Sequence, residues 1–386
     1  MRQLAAAFAI GALRDVRCPY SSSHDFRYHA VVKKSRTRLS QLLLLCICAL
    51  LAATPLRSQT AATTATSLTP EHKPPDVSLK WKQLVGIYRL TGAKEAVVIL
   101  EQNQHLYLLR SPENREEIVE QDGVLWLDGG DGRSYGFTLS RDDNGILQFS
   151  YLNEVYSRED AGSDPAQFYH VTPANPVAEL REKALRVSPP QEPGPFRKSD
   201  LVELTTLDPA FHLDIRYAQS NNFLSTPLYT QARAFLQRPA ADALLRVLRK
   251  LQPLGYGLLI HDAYRPWYIT KLFWDATPPE DHNFVADPQK GSKHNRGCAV
   301  DLTLYDLATG NVIEMPGLYD EMSPRSFPTF PGGTSLQRWH RDLLRRAMES
   351  EGFTVDQNEW WHFDYKDWKL YPILNVPFEK LDKLVN

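Results

Sequence analysis

Cysteine is scarce in this chain. Its 386 residues hold four, and Cys18, Cys46 and Cys48 all fall within the first 60. If that segment is a leader, Cys298 alone remains. One cysteine cannot close an internal disulfide, so the fold must be held by its core, and large domains bury enough of their surface to manage this. Long apolar runs are also missing. Leu42 to Ala53 is apolar but falls short of the roughly 20 residues that span a bilayer comfortably. An excess of either charge is absent: 44 Lys and Arg face 46 Asp and Glu, for a net charge of −2. No basic face stands out, which argues against nucleic acid as a partner. There is no Walker phosphate loop, no dinucleotide fingerprint and no internal repeat.

The N-terminus carries a different signal. Arg2, Arg14, Arg17, Arg27, Lys33, Lys34, Arg36 and Arg38 precede the apolar run, and the small residues Ala52, Ala53, Ser58 and Ala61 follow or end it. A basic region, a short apolar core and small residues form the pattern of a secretory signal. The expected location is therefore exported, periplasmic or extracellular; the alternative is an uncleaved membrane anchor. The basic region is longer than usual, which suggests a true start downstream of Met1. Bulky residues precede Cys46 and Cys48, so neither has a lipoprotein context.

Composition divides the rest. Residues 1–60 read as the targeting segment and 61–78 as a Thr-, Ala- and Pro-rich linker. Residues 79–172 read as a small β-rich accessory domain. Its expected strands are 86–90, 96–100, 105–109, 124–127, 136–139 and 147–151, several of them separated by Asp-Gly, Gly-Gly or Asn-Gly turns. An antiparallel barrel or sandwich follows, with no residue set that carries catalysis; contact with the cell wall is a possible role. Residues 173–200 read as a second linker, with a short helix near 177–185 and a proline-rich stretch at 189–195. Residues 201–386 form the last domain. Apolar spacing predicts helices over 240–251, 267–274 and 336–351, and strands over 257–260 and 299–304. This is an α+β domain with a central, mainly antiparallel sheet and helices.

The chemistry concentrates in that last domain. Ser292-Lys-His294-Asn-Arg-Gly297-Cys-Ala-Val-Asp301 is followed about sixty residues later by Glu359-Trp-Trp-His362. Two imidazoles and a carboxylate can hold one metal, with a second carboxylate beside it. Zinc favours such nitrogen and oxygen ligands, and its catalytic sites commonly use three protein ligands. A turn at Gly297 brings His294 and Asp301 to one ion. Strand alternation puts Asp301 and Thr303 on one face and Val300, Leu302 and Leu304 on the other. Glu359 and His362, three apart, suit an irregular entry into a strand. Each residue has a bland alternative: His294 as a surface histidine, Asp301 as a strand start, Glu359 and His362 as polar neighbours of two buried tryptophans. Cys298 reads as a small buried packing residue.

The stretch from about 201 to 377 resembles the zinc D-alanyl-D-alanine dipeptidases of the VanX type. These are members of a larger zinc D,D-peptidase family that includes the hedgehog signalling domain. The shared pattern, S-x-H-x-x-G-x-A-x-D then E-x-x-H, is complete here in Ser292, His294, Gly297, Ala299, Asp301, Glu359 and His362. Leu213-Asp-Ile-Arg-Tyr217, Asp262-Ala-Tyr-Arg265-Pro266 and Asp301-Leu-Thr-Leu-Tyr305 resemble the dipeptidase branch in particular. Lys293 departs from the usual small polar residue. The resemblance implies one Zn²⁺ held by His294, Asp301 and His362, with Glu359 as general base and Arg265 as the group that steadies the oxyanion. It implies Asp320 as the partner of the substrate ammonium, Ser292 and Tyr217 near the substrate, and Asp262 behind Arg265. The implied substrate is the small dipeptide D-Ala-D-Ala. The rival readings are a D,D- or L,D-carboxypeptidase trimming peptidoglycan stems, and a binding module that keeps the fold without the activity. An intact Glu359 and Arg265 count against the binding module.

Overall fold

The computed structural model describes residues 68, 70, 72–128, 134–159 and 170–383. The secretory signal, the alternative anchor and Cys18, Cys46 and Cys48 lie outside the described residues. Among the described residues no helix is long and apolar enough to cross a membrane.

A short helix, α1 (Leu79–Leu84), leads into eight strands: β1 (Gly86–Leu90), β2 (Ala96–Gln102), β3 (His105–Ser111), β4 (Asn114–Gln121), β5 (Val124–Asp128), β6 (Ser134–Arg141), β7 (Leu147–Tyr151) and β8 (Glu154–Arg158). They close into an antiparallel barrel, with β1 pairing to both β2 and β8. The closure explains two strands that apolar patterning does not reveal. In β4, Asn-Arg-Glu-Glu-Ile-Val-Glu-Gln, only Ile118 is buried, and in β8 only Tyr156. Inward-facing residues fill the interior. Phe149 stacks between Phe137 at 4.4 Å and Tyr156 at 4.6 Å between ring centroids.

Two stretches expected to be links are docked instead. Pro70 accepts a hydrogen bond from the Trp339 indole at 3.1 Å, and Lys73 donates to the Tyr256 hydroxyl at 2.7 Å. Helix α2 (Val177–Leu185) buries Leu180 and Ala184 in the main core. Beyond it, Glu192 pairs with Arg296 and accepts from the Ile373 amide at 2.9 Å. Proline-rich composition signals an extended path here rather than a free one, because side chains elsewhere satisfy the segment.

The last part of the chain is built on a five-stranded sheet. Its order is β10 (Phe211–Leu213), β12 (Tyr256–Asp262), β13 (Ala299–Asp306), β15 (His362–Tyr365) and β14 (Phe353–Val355); β9 (Leu201–Glu203) and β11 (Phe235–Gln237) pair separately. Only β10 and β12 run parallel. The central strands β12 and β13 are buried on both faces. Helix α3 (Arg238–Leu251) covers the sheet with Leu244, Val247, Leu248 and Leu251, each worth about 1.5–3 kcal/mol when fully buried. It begins with a proline in its first turn, and Gly255, at φ 88°, reverses the chain after it. Helix α4 (Trp267–Ala276) follows β12. Helix α5 (Ser335–Glu349) starts with a capping box between Thr334 and Gln337, which satisfies amides that would otherwise be orphaned.

Three details of this sheet create the site. Asp301 on β13 sits directly opposite His362 on β15. A bulge in β12 between Ile260 and Asp262 brings Asp262 opposite Asp301, and bulges commonly re-aim side chains next to active sites. Before β13, a single 3₁₀ turn, His294–Arg296, ends at Gly297 with φ 66°. A side chain there would be strained, and its Cβ would meet Leu201 at 2.5 Å.

Candidate metal and active site

Three donor atoms converge. His294 Nε2 lies 3.1 Å from His362 Nδ1, His362 Nδ1 lies 3.0 Å from Asp301 Oδ1, and Asp301 Oδ1 lies 3.3 Å from His294 Nε2. All three side chains are buried. Ligands about 2.0–2.1 Å from a tetrahedral ion stand roughly 3.3 Å apart, so the triangle has the dimensions of one face of such a site.

The outer bonds decide which atoms carry lone pairs. His294 Nδ1 faces the Ala263 carbonyl at 2.6 Å; it must donate there, which leaves Nε2 free to ligate. His362 Nε2 faces Asp364 Oδ1 at 2.9 Å, and the same logic leaves Nδ1 free. Asp364 is itself paired with Lys293 Nζ at 2.9 Å. The second oxygen of Asp301 accepts from the Tyr319 hydroxyl at 3.2 Å. Two unprotonated ring nitrogens 3.1 Å apart cannot bond to each other, and a cation between them resolves the conflict. The field agrees. Burial opposes ionised Asp301, yet the two imidazoles hold its carboxyl far below the usual range. Burial likewise opposes a charged His362, but Asp301 and Asp364 carry its pKa well above the ordinary histidine value. A site with this surplus of negative potential attracts a proton or a metal dication.

These ligands open into a cavity of about 250 Å³, whose walls include Tyr217, Arg265, Ser292, Asp320 and Glu359. Glu359 keeps about a third of its side chain exposed and sits 3.7 Å from His362 Nδ1. Desolvation, with Asp301 adding to it, raises its carboxyl above the ordinary value; a nearby dication acts in the opposite direction, because it favours the carboxylate. Arg265 is locked from three sides. Its Nε and Nη2 donate to Asp262 Oδ2 at 2.9 and 2.7 Å, and its guanidinium lies against Tyr217 and Phe273. Asp262 Oδ1 in turn accepts from the Tyr229 hydroxyl at 2.8 Å. Asp320 is half-buried and accepts from the Tyr217 hydroxyl at 2.9 Å; desolvation and then Asp301 push it up to about 7. Ser292 Oγ accepts from the His294 amide at 3.2 Å, so it holds the turn as well as lining the cavity.

The structure thus brings all nine residues expected from the sequence into one neighbourhood. It adds Tyr319, Asp364 and Tyr229, which patterning did not single out. Asp364 had a readable signal, since it lies two residues from His362 on a strand and shares its face. Tyr319 and Tyr229 had none, because their hydroxyls reach the site only through tertiary folding. A larger cavity of about 340 Å³ lies between α1 and the 312–319 loop. It touches Tyr319 but holds none of the three ligand residues, and it is not the chemical site.

Asp364→Asn tests the outer shell. The substitution keeps the shape and removes the charge behind His362, so metal affinity is expected to fall about 10–100-fold. Competition with a chelator of known affinity measures it; an unchanged dissociation constant would show that Asp364 does not tune the ligand.

Residues 197–380 match the family model described as D-ala-D-ala dipeptidase. The chain is 36% identical over 180 residues to the D-alanyl-D-alanine dipeptidase of Escherichia coli strain K12, covering 47% of this chain and 92% of that protein. It is 35% identical over 176 residues to the D-alanyl-D-alanine dipeptidase of Enterococcus faecalis V583, covering 40% and 85%. It is 33% identical over 189 residues to that of Enterococcus faecium, covering 43% and 93%.

Proposed function

We propose how this chain, which belongs to the D-ala-D-ala dipeptidase family, carries out its reaction. It is a metallopeptidase that hydrolyses the D-alanyl-D-alanine dipeptide, with zinc as its metal and His294, Asp301 and His362 as the ligands. The observation that carries this reading is the triangle of donor atoms at 3.0–3.3 Å, with both imidazole tautomers set by outer hydrogen bonds. When bound, zinc supplies Lewis acidity that makes water nucleophilic near neutral pH.

The chain's own groups do the rest. Glu359 takes a proton from the attacking water and returns it to the leaving nitrogen, so that a C–O bond forms, the peptide C–N bond breaks and two D-alanines leave. Arg265, fixed by Asp262, faces the oxygen on which negative charge develops; a guanidinium already in place costs no reorganisation during the reaction. Asp320, held by Tyr217, meets the substrate ammonium, and Ser292 lines the same space. A cavity of about 250 Å³ favours a small substrate. The basic and apolar N-terminus supports export to the periplasm or exterior, with membrane anchoring as the alternative and cell-wall contact through the barrel as a further role.

The decisive experiment measures zinc content and turnover on the purified chain, with free D-Ala-D-Ala against a peptidoglycan stem pentapeptide. Stoichiometric zinc and preferential cleavage of the dipeptide are expected. Preference for the pentapeptide would make the chain a carboxypeptidase of the same chemistry.

A further inference from the structure

The family match begins at residue 197, downstream of the barrel, so the barrel is extra to the part that resembles known dipeptidases. Its joint with that part is unlike a tether. Strand β2 is buried on both faces. Val97 and Ile99 point into the barrel, while Val98 and Leu100 join Ile87 and Leu109 in an apolar cluster that encloses Phe330. Leu100 forms a bridge with Gly333, and the Glu101 amide donates to the Gly333 carbonyl at 3.1 Å. The Glu101 side chain is fully buried and caps a helix of the other part. Its Oε2 accepts from the Ser335 amide at 2.6 Å and its Oε1 from the Ser335 hydroxyl at 3.2 Å. Arg338 donates to the carbonyls of both Glu101 and Gly333, at 2.7 and 2.9 Å.

From this joint a continuous chain of contacts reaches the site. Gly333 lies against Pro316, close enough that a Cβ on the glycine would stand 3.2 Å from it. The Pro316 carbonyl accepts from Arg325 Nε at 2.9 Å. Arg325 pairs with Glu321 at 3.4 Å, and Glu321 accepts from the Leu318 amide at 2.8 Å. That closes the turn carrying Tyr319 and Asp320. Asp320 has φ 57°, a conformation that persists in a non-glycine residue only when its surroundings over-determine it.

We infer that the barrel is a clamp on the 312–334 loop, and that Glu101 is a positioning residue that holds Asp320 in its binding conformation. The inference rests on Asp320 as the ammonium partner. The barrel restrains a loop that shapes one wall of the dipeptide site.

The test uses Glu101→Ala in the full chain. KM for D-Ala-D-Ala is expected to rise about 2- to 30-fold, the usual range for a residue that acts through intervening contacts, while kcat and zinc content stay near the parent's. Hydrogen exchange should quicken in residues 312–334 and not in β12 or β13. If Glu101→Ala does not fold, Phe330→Leu trims the apolar half of the joint and carries the same expectation. Unchanged KM with unchanged exchange in the loop would overturn the clamp, as would an equal loss of kcat, zinc and protection throughout the chain. The two readings fail separately. Faster loop exchange with an unaltered KM would retain the clamp and refute Glu101 as a substrate-positioning residue. An Asp320→Ala variant with unaltered KM would refute the ammonium partner itself.

Discussion

Glu359→Gln is expected to keep a full complement of zinc and to lose about 10²–10⁴-fold in turnover, the usual contribution of a positioned acid–base group. The amide has the shape of the carboxylate and sits in the same place, 3.7 Å from His362 Nδ1. It cannot accept the proton of the attacking water, and it has none to pass to the leaving nitrogen. The ligands are untouched, so metal content and substrate KM should change little. His294→Ala makes the contrast, because two ligands cannot hold the ion as three do; that variant should lose both zinc and turnover. Measuring metal content and kcat on the two proteins side by side separates base from ligand. A Glu359→Gln enzyme with parental rates would remove Glu359 from the mechanism. A His294→Ala enzyme with stoichiometric zinc and full turnover would overturn the ligand set.

The neighbourhood of these residues was legible because spacing, strand alternation and a glycine in the left-handed region act over short stretches. Gly297 returns the chain between His294 and Asp301, and the alternation that separates Asp301 from Val300 is a property of any strand. The cross-strand partnership of Asp301 with His362 spans about sixty residues; ligand chemistry and the family pattern group the two side chains, but no local pattern pairs their strands. The bulge at Ile260–Asp262 has no mark in the sequence, since neither glycine nor proline signals it. Strands β4 and β8 escaped notice because barrel exteriors tolerate charge, and each buries a single side chain. The docking of the barrel left one trace. Ala96-Val-Val-Ile-Leu100 is apolar without alternation, which is the pattern of a strand buried on both faces. A free barrel needs only one face apolar, so the run already implied a partner. The docked links left none, because a partly buried ion pair such as Glu192 with Arg296 joins residues 104 apart.

Free D-Ala-D-Ala is expected to be cleaved more than a hundredfold better than its N-acetylated form. Asp320 lies in the cavity wall with its carboxyl raised to about 7 by burial and by Asp301, a position that an opposing ammonium relieves. Acetylation removes that charge and leaves Asp320 confronting a neutral amide. Losing one partner of a buried pair costs about 3–5 kcal/mol, and the lower end of that range already exceeds a hundredfold. The Tyr217 hydroxyl, donating at 2.9 Å, shares the load on Asp320 but brings no charge, so it does not substitute for the ammonium. Asp320→Ala should narrow the preference mainly by harming the free dipeptide, because the acetylated form never used the carboxylate. Comparison of kcat/KM for the two substrates on both proteins gives the four rates required. A carboxypeptidase gives the opposite order, with acylated or longer peptides cleaved as well or better. Equal rates on the free and acetylated dipeptides would end the assignment of Asp320 to the ammonium while leaving the metal triangle untouched, since none of its three donor atoms depends on that residue.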